Sequence, residues 1–173
     1  MAIEIERKFL VKDEAWRMGR TGEAIRQGYL CAVPEQSVRV RTVGRRAFLT
    51  IKAIKGGFSR YEYEYEIPLD DASEMLDRIC ERPLIEKTRY TLDVSGLEWT
   101  VDVFTGDNEG LVVAEVELER EDQEIEIPGW AGREVTGEPR FLNANLFRNP
   151  YAAWPAEDRE ARAAGERRPV CQP

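Results

Sequence analysis

The chain contains no histidine. That absence excludes Ser-His-Asp triads, Cys-His dyads, histidine zinc sites and imidazole acid–base catalysis. Cysteine is scarce: Cys31, Cys80 and Cys171 are three in number and far apart. They form neither a zinc pattern nor a disulfide framework, which points to a reducing, cytoplasmic setting. No apolar run approaches the ~18 residues of a membrane-spanning helix. The first eight residues are charged from Glu4 onward and lack the apolar stretch of a signal peptide. Basic charge is in deficit, with 25 Lys and Arg against 33 Asp and Glu and a net charge of −8. Nucleic acid and anionic membrane are therefore not expected partners. Metal chemistry in such a chain must rest on carboxylates, which suit hard ions such as Mg²⁺ and Mn²⁺.

What remains is rich in charge of both signs. Of the 173 residues 34% are charged and 42% hydrophobic, against ~25% charged in a typical globular domain. One domain is expected at this length. Apolar and polar residues alternate with period two over most of the chain, the mark of half-buried strands. Such runs cover 2–11, 25–33, 37–43, 47–54, 60–68, 86–94, 97–104 and 111–119. The pattern predicts about eight strands, with a hairpin at Gly44-Arg45-Arg46 and a turn at Gly56-Gly57. A helix is expected from Asp70 or Asp71, as its cap, to about Arg82, ended by Pro83. Short helices are expected within 13–19 and 140–148, and 120–127 fits either state. From Pro155 bulky apolar residues nearly vanish, so a domain over 1–154 with a mobile tail over 155–173 is expected.

The polar faces of these strands carry the functional signal. Residues i and i+2 share a face. Glu4, Glu6 and Lys8 therefore stand together, as do Arg39 with Arg41, Lys52 with Thr50, Glu62 with Glu64, Lys87 with Arg89, and Glu115 with Glu117; Asp102 opposes Val101 and Val103. An antiparallel sheet with one solvated face explains any single strand. Single-sign pairs recurring from strand to strand need opposite partners, or ligands. If the sheet closes with its charged face inward, seven acids and six bases line the interior, a sum of −1. So many charges are costly to desolvate unless paired. Carboxylates there suit a divalent cation, and arginine forks suit a polyanion bridged to it.

Glu4-Ile5-Glu6-Arg7-Lys8 matches the ExExK motif of the CYTH superfamily, the triphosphate tunnel metalloenzymes. Val38-Arg39-Val40-Arg41, Thr50-Ile51-Lys52, Glu62-Tyr63-Glu64, Glu86-Lys87-Thr88-Arg89-Tyr90, Val101-Asp102-Val103-Phe104 and Ala114-Glu115-Val116-Glu117 follow in order. Over residues 1–148 the chain resembles the small single-domain bacterial inorganic triphosphatases of that superfamily.

The resemblance implies a mainly β (α+β) fold, a closed eight-stranded antiparallel β-barrel tunnel with a few covering helices. It implies Mg²⁺ or Mn²⁺, one or two ions, held by Glu4, Glu6, Asp102, Glu115 and Glu117. It implies phosphate binding by Lys8, Arg39, Arg41, Lys52, Lys87 and Arg89. Glu62 and Glu64 would line the same tunnel as metal ligands, water ligands or partners of the bases. Tyr29 and Arg60 also fall at family-like positions, with packing and a surface charge as their alternative roles. Arg140 would reach a tunnel mouth or stay at the surface.

The implied reaction is metal-dependent hydrolysis of inorganic tripolyphosphate to pyrophosphate and phosphate. In it Glu62 or Glu64 would activate water, and Lys52 or Lys87 would transfer a proton. The same charged set would serve a thiamine triphosphatase or a class IV adenylate cyclase acting on an organic triphosphate. A non-catalytic polyphosphate-binding module would need the bases but not the acids. Trp16, Trp99, Trp130 and Trp154 could support a homodimer or pack beneath the helices.

Overall fold

The computed structural model describes residues 2–56 and 59–160, with side chains described for all of these except 2–4 and 160. Nine strands form one antiparallel sheet: β1 (Ala2–Val11), β2 (Glu23–Ala32), β3 (Gln36–Val43), β4 (Arg46–Gly56), β5 (Ser59–Ile67), β6 (Ile85–Val94), β7 (Leu97–Thr105), β8 (Val112–Glu117) and β9 (Ala131–Glu134). Their order is β5-β4-β3-β2-β6-β7-β8-β1-β9, and β5 also pairs with β1. That pairing closes an eight-stranded barrel. Strand β1 divides its length to achieve this. Its first half pairs with β5, and Phe9 pairs with Ala114 of β8 and with Glu134 of β9. The alternation in sequence anticipates the eight barrel strands. The ninth, β9, lacks alternation and is held by backbone pairing.

Two-residue turns set the tightest hairpins. Val94 pairs with Leu97, and the intervening Ser95 and Gly96 have φ of 54° and 79°. Positive φ at both central residues matches the right-handed twist of the flanking strands.

Two apolar clusters cover the outside of the barrel, and a third fills one end of its interior. The outer face of β1, β6, β7 and β8 presents Ile5, Phe9, Tyr90, Leu92, Trp99, Val101 and Val116. The 3-10 turn Ala15–Arg17 covers it with Trp16, whose ring lies 5.0 Å from Tyr90, and Trp130 stands edge-on to Trp99 at 5.6 Å. The outer face of β3 and β4 presents Val40 and Ala47 to helix α1 (Leu69–Arg78), which buries Ala72 and Leu76 there. Gly28 of β2 lies so near the end of this helix that a Cβ on it would sit 2.6 Å from the Cys80 Cβ.

The third cluster is inside the barrel. The inner face turns apolar at one end through Leu10, Ile85, Phe104 and Val113. These pack on Phe141, Leu146, Phe147 and Trp154, carried by the 3-10 turn Pro139–Phe141, helix α2 (Asn143–Leu146) and the segment after it. All four tryptophans are thus used in packing, three of them buried and Trp130 partly so.

Helix α1 is shorter than expected. It starts after Pro68, with Asp70 and Asp71 in its first turn, where they favour the positive end of the helix. It stops at Arg78 because the chain returns to the sheet, the Glu81 N–H donating to the Tyr29 carbonyl at 2.9 Å. Residues 120–127 adopt neither helix nor strand. Ala156–Glu160 form a third helix, α3, and 161–173, with Cys171, lie outside the described residues. Among the described residues no helix is long and apolar enough to cross a membrane.

Candidate active site

The inward charges gather around one pocket of about 520 Å³. Among the described residues six cations line it, Lys8, Arg39, Arg41, Lys52, Arg60 and Arg89, with five carboxylates, Glu6, Glu62, Glu64, Glu115 and Glu117. Tyr29 and Ser37 join them from β2 and β3, and Leu142, Asn143 and Ala144 from the start of α2. Those last three are neutral and follow no strand pattern, so no sequence signal marks them. Eleven of the anticipated residues thus meet on one surface besides Tyr29, and Arg60 and Tyr29 face the pocket as the resemblance implies.

The strand registers set the pairs. Lys8 lies opposite Glu115, and Glu6 opposite Glu117. The Lys8 ammonium donates to Glu115 and stands 2.9 Å from Glu6. Burial alone would lower its pKa, but the two carboxylates outweigh burial and raise it. Arg89 places its guanidinium on both Asp102 oxygens at 2.7 and 2.6 Å and donates to Glu115 at 2.9 Å. Burial would raise the Glu115 pKa, yet Lys8, Arg89 and Lys87 hold it well below the ordinary carboxylate range.

A second network occupies β3, β4 and β5. Arg41 donates to both Glu64 oxygens at 3.0 Å. Thr50 donates to Glu64 at 2.8 Å and accepts from Arg39 at 3.2 Å. Lys52 lies 3.3 Å from Glu62, and Arg39 lies 3.7 Å from Glu64. Burial and the neighbouring Arg39 and Arg89 lower the Arg41 pKa despite Glu64. Positive charge is therefore crowded at this wall, a condition that an incoming anion relieves.

Lys87 and Asp102 do not line the pocket. They form an ion pair behind it, with side chains 2% and 1% exposed. Burial lowers the Lys87 pKa to about 8, with Arg89 acting in the same direction and Asp102 opposing. Arg140 is also away from the pocket, 3.5 Å from Glu138 and from Asp158 of α3. The Glu4 side chain lies outside the described residues, although its backbone pairs with Arg60. Among the described residues no three acidic, cysteine or histidine side chains converge as ready metal ligands. Glu6, Glu62, Glu64 and Glu115 are instead held by lysine and arginine. By donor type Glu6, Glu115 and Glu117, on adjacent strands, fit a hard divalent ion.

Comparison with known proteins agrees with this geometry. The CYTH domain family profile matches residues 2–151. An inorganic triphosphatase of Acetivibrio thermocellus is 50% identical over 151 residues, 87% of this chain and 97% of that protein. An inorganic triphosphatase of Nitrosomonas europaea is 40% identical over 149 residues, 83% of this chain and 95% of that protein. A crystal structure of an inorganic triphosphatase superposes with a TM-score of 0.62 at 36% identity, covering 85% of this chain and 95% of the other. The chain belongs to the CYTH domain family.

Proposed function

We propose that this protein hydrolyses inorganic tripolyphosphate to pyrophosphate and phosphate, using a divalent cation. The observation that carries the reading is the pocket lining: among the described residues, six cations and five carboxylates around about 520 Å³, with Tyr29 the single aromatic. Tyr29 is itself stacked on Phe147 at 5.2 Å and buried, which leaves little of its ring to a base or a thiazolium ring. A site built for phosphates alone favours the inorganic substrate over ATP or thiamine triphosphate. The named activity of the two curated relatives supports the same choice.

The protein's own groups divide the work as follows. Arg39, Arg41, Lys52 and Arg60 on one wall and Lys8 and Arg89 on the other bind phosphate oxygens. As phosphate oxygens take over Arg39, Arg41 and Lys52, Glu62 and Glu64 lose their cationic partners and become better proton acceptors. One of them orients a water against the terminal phosphorus and takes its proton. The new P–O bond forms as the bridging P–O bond breaks, and pyrophosphate leaves with its charge offset by the cations. Lys52, which lines the pocket, is placed to return a proton to the leaving oxygen. Lys87 acts from behind the wall by holding Asp102, which in turn orients Arg89. Glu6, Glu115 and Glu117 would hold Mg²⁺ or Mn²⁺, with Glu4 added from β1. The ion, when bound, neutralises phosphate charge and polarises a phosphoryl oxygen.

The test is release of phosphate and pyrophosphate from tripolyphosphate, ATP and thiamine triphosphate, with Mg²⁺, Mn²⁺ or EDTA. The expected result is metal-dependent turnover with strong preference for tripolyphosphate, abolished by EDTA. Preference for either organic triphosphate, or no turnover of any of the three, overturns the reading.

A further inference from the structure

Gln27 is wholly buried, and among the described residues neither its amide nitrogen nor its amide oxygen has a hydrogen-bond partner. It sits two residues before Tyr29 on the same face of β2, so it points into the barrel. In the β2–β3 register Tyr29 lies opposite Arg39, and Gln27 lies opposite Arg41. On its other side Gln27 pairs with Ile85 of β6, which is apolar and offers no partner. Directly opposed residues on antiparallel strands have Cβ atoms within ~5.5 Å.

Arg41 carries the complementary defect. Its Nη2 is engaged by Glu64, while its Nε–H is buried without an acceptor among the described residues. An orphan acceptor on Gln27 and an orphan donor on Arg41 thus stand on facing residues. A buried carboxamide left unpaired is destabilising, and a residue of this size could be replaced by an apolar one at no cost to packing. The amide is therefore suited to an arrangement other than the one in which Arg41 is drawn to Glu64.

We infer that Gln27 is a positioning residue for Arg41 in the triphosphate-bound protein. When the polyanion draws the Arg41 fork away from Glu64, the Arg41 Nε–H donates to the Gln27 amide oxygen. That bond fixes the plane of the guanidinium and aims its remaining N–H groups at phosphate. The inference rests on the anion-binding role assigned to Arg41 above, and it identifies what orients that arginine.

The test replaces Gln27 with methionine, similar in size and without the amide. Because Arg41 grips phosphate before and during the reaction, the loss should fall on binding. The KM for tripolyphosphate should rise about tenfold, with kcat changed less than threefold. The thermal midpoint without substrate should stay level or rise, since an orphan amide has been removed. The rise in midpoint that tripolyphosphate induces with Mg²⁺ present should shrink. Adding Gln27→Met to Arg41→Ala should change that induced rise no further, because the bond it removes no longer exists.

A KM within twofold of wild type overturns the inference. So does an undiminished effect in the Arg41→Ala background, or a thermal midpoint lowered by the substitution. Gln27→Leu is the second variant, and failure of both to fold assigns the amide to the fold and overturns the inference as well. Wild-type protein that binds tripolyphosphate without hydrolysing it would overturn the proposed hydrolysis while leaving the role of Gln27 open to the same binding measurement. Hydrolysis by wild type with the Gln27 variants unaffected would do the reverse.

Discussion

Lys87 and Asp102 form the most deeply buried ion pair among the described residues, and Asp102 is shared with Arg89. The sharing makes the two partners unequal. Without Asp102, Lys87 loses its hydrogen-bonded acceptor and Arg89 loses its fork. Without Lys87, Asp102 still has both bonds from Arg89. Asp102→Ala is therefore expected to cost ~3–5 kcal/mol of folding stability, the range for stranding buried charge. Lys87→Met is expected to cost less than half as much. Urea unfolding of both variants checks the order, and equal losses would contradict it.

Acid should destabilise the protein through Glu115. Its folded pKa is depressed well below the ordinary value of 4.5, with burial opposing the shift and Lys8, Arg89 and Lys87 outweighing it. A depressed carboxylate contributes stability that is present above its unfolded pKa and is lost as pH falls through its folded pKa. Unfolding free energy should therefore decline from about pH 4.5 downward. Glu115→Gln removes this proton uptake, while Lys8 keeps Glu6 and Arg89 keeps Asp102. The variant should lose less stability per pH unit between pH 4.5 and 3. Denaturant curves at several pH values measure the slope, and parallel slopes for the two proteins would refute the assignment.

Much of this arrangement was legible in the sequence, for a reason that also limits it. Alternation reports which face a side chain takes, so Arg39 with Arg41 and Glu62 with Glu64 could be put inside the barrel from their spacing. It does not report depth along the barrel axis. Glu66 shares the face of Glu64 yet sits at the rim, paired with Arg46 and more than half exposed. Lys87 shares the face of Arg89 yet is buried behind the pocket. The apolar end of the interior was equally hidden, because Leu10, Ile85, Phe104 and Val113 read as ordinary members of alternating strands. Gln27 carries no charge to mark it, and Asn143 and Ala144 reach the pocket only through the packing of α2. Strand β9 escaped because Ala-Gly-Arg-Glu has no period; its place depends on a free edge of β1 that only the closed barrel defines.

The outer faces of the barrel predict an uneven response to mutation. Leu76 is fully buried and lies in one cluster with Val40 and Ala47 of the underlying strands. Leu76→Ala is expected to cost ~2–5 kcal/mol. Tyr65, on the outer face of β5, is 56% exposed. Tyr65→Thr keeps a β-compatible residue there and should change stability by no more than ~0.5 kcal/mol. Thermal unfolding of the two variants gives the contrast; a large loss at Tyr65 would show that its ring is covered in solution.

Arg39 offers the cleanest separation of activity from folding. Its side chain bonds Thr50 and lies 4.0 Å from Glu62 and 3.7 Å from Glu64. Removing it strands neither carboxylate, since Glu62 keeps Lys52 and Glu64 keeps Arg41 and Thr50. The fold should therefore tolerate Arg39→Ala, in contrast to Asp102→Ala. The substrate has no such redundancy, because a guanidinium fork contributes two directed N–H groups and a full charge to one phosphate. Loss of a preorganised donor of this kind lowers turnover by roughly 10²–10³-fold. Arg39→Lys restores charge without the fork and should recover only part of the rate. Circular dichroism together with tripolyphosphate turnover decides the matter. Near-native rates in the folded Arg39→Ala protein would remove Arg39 from the phosphate site.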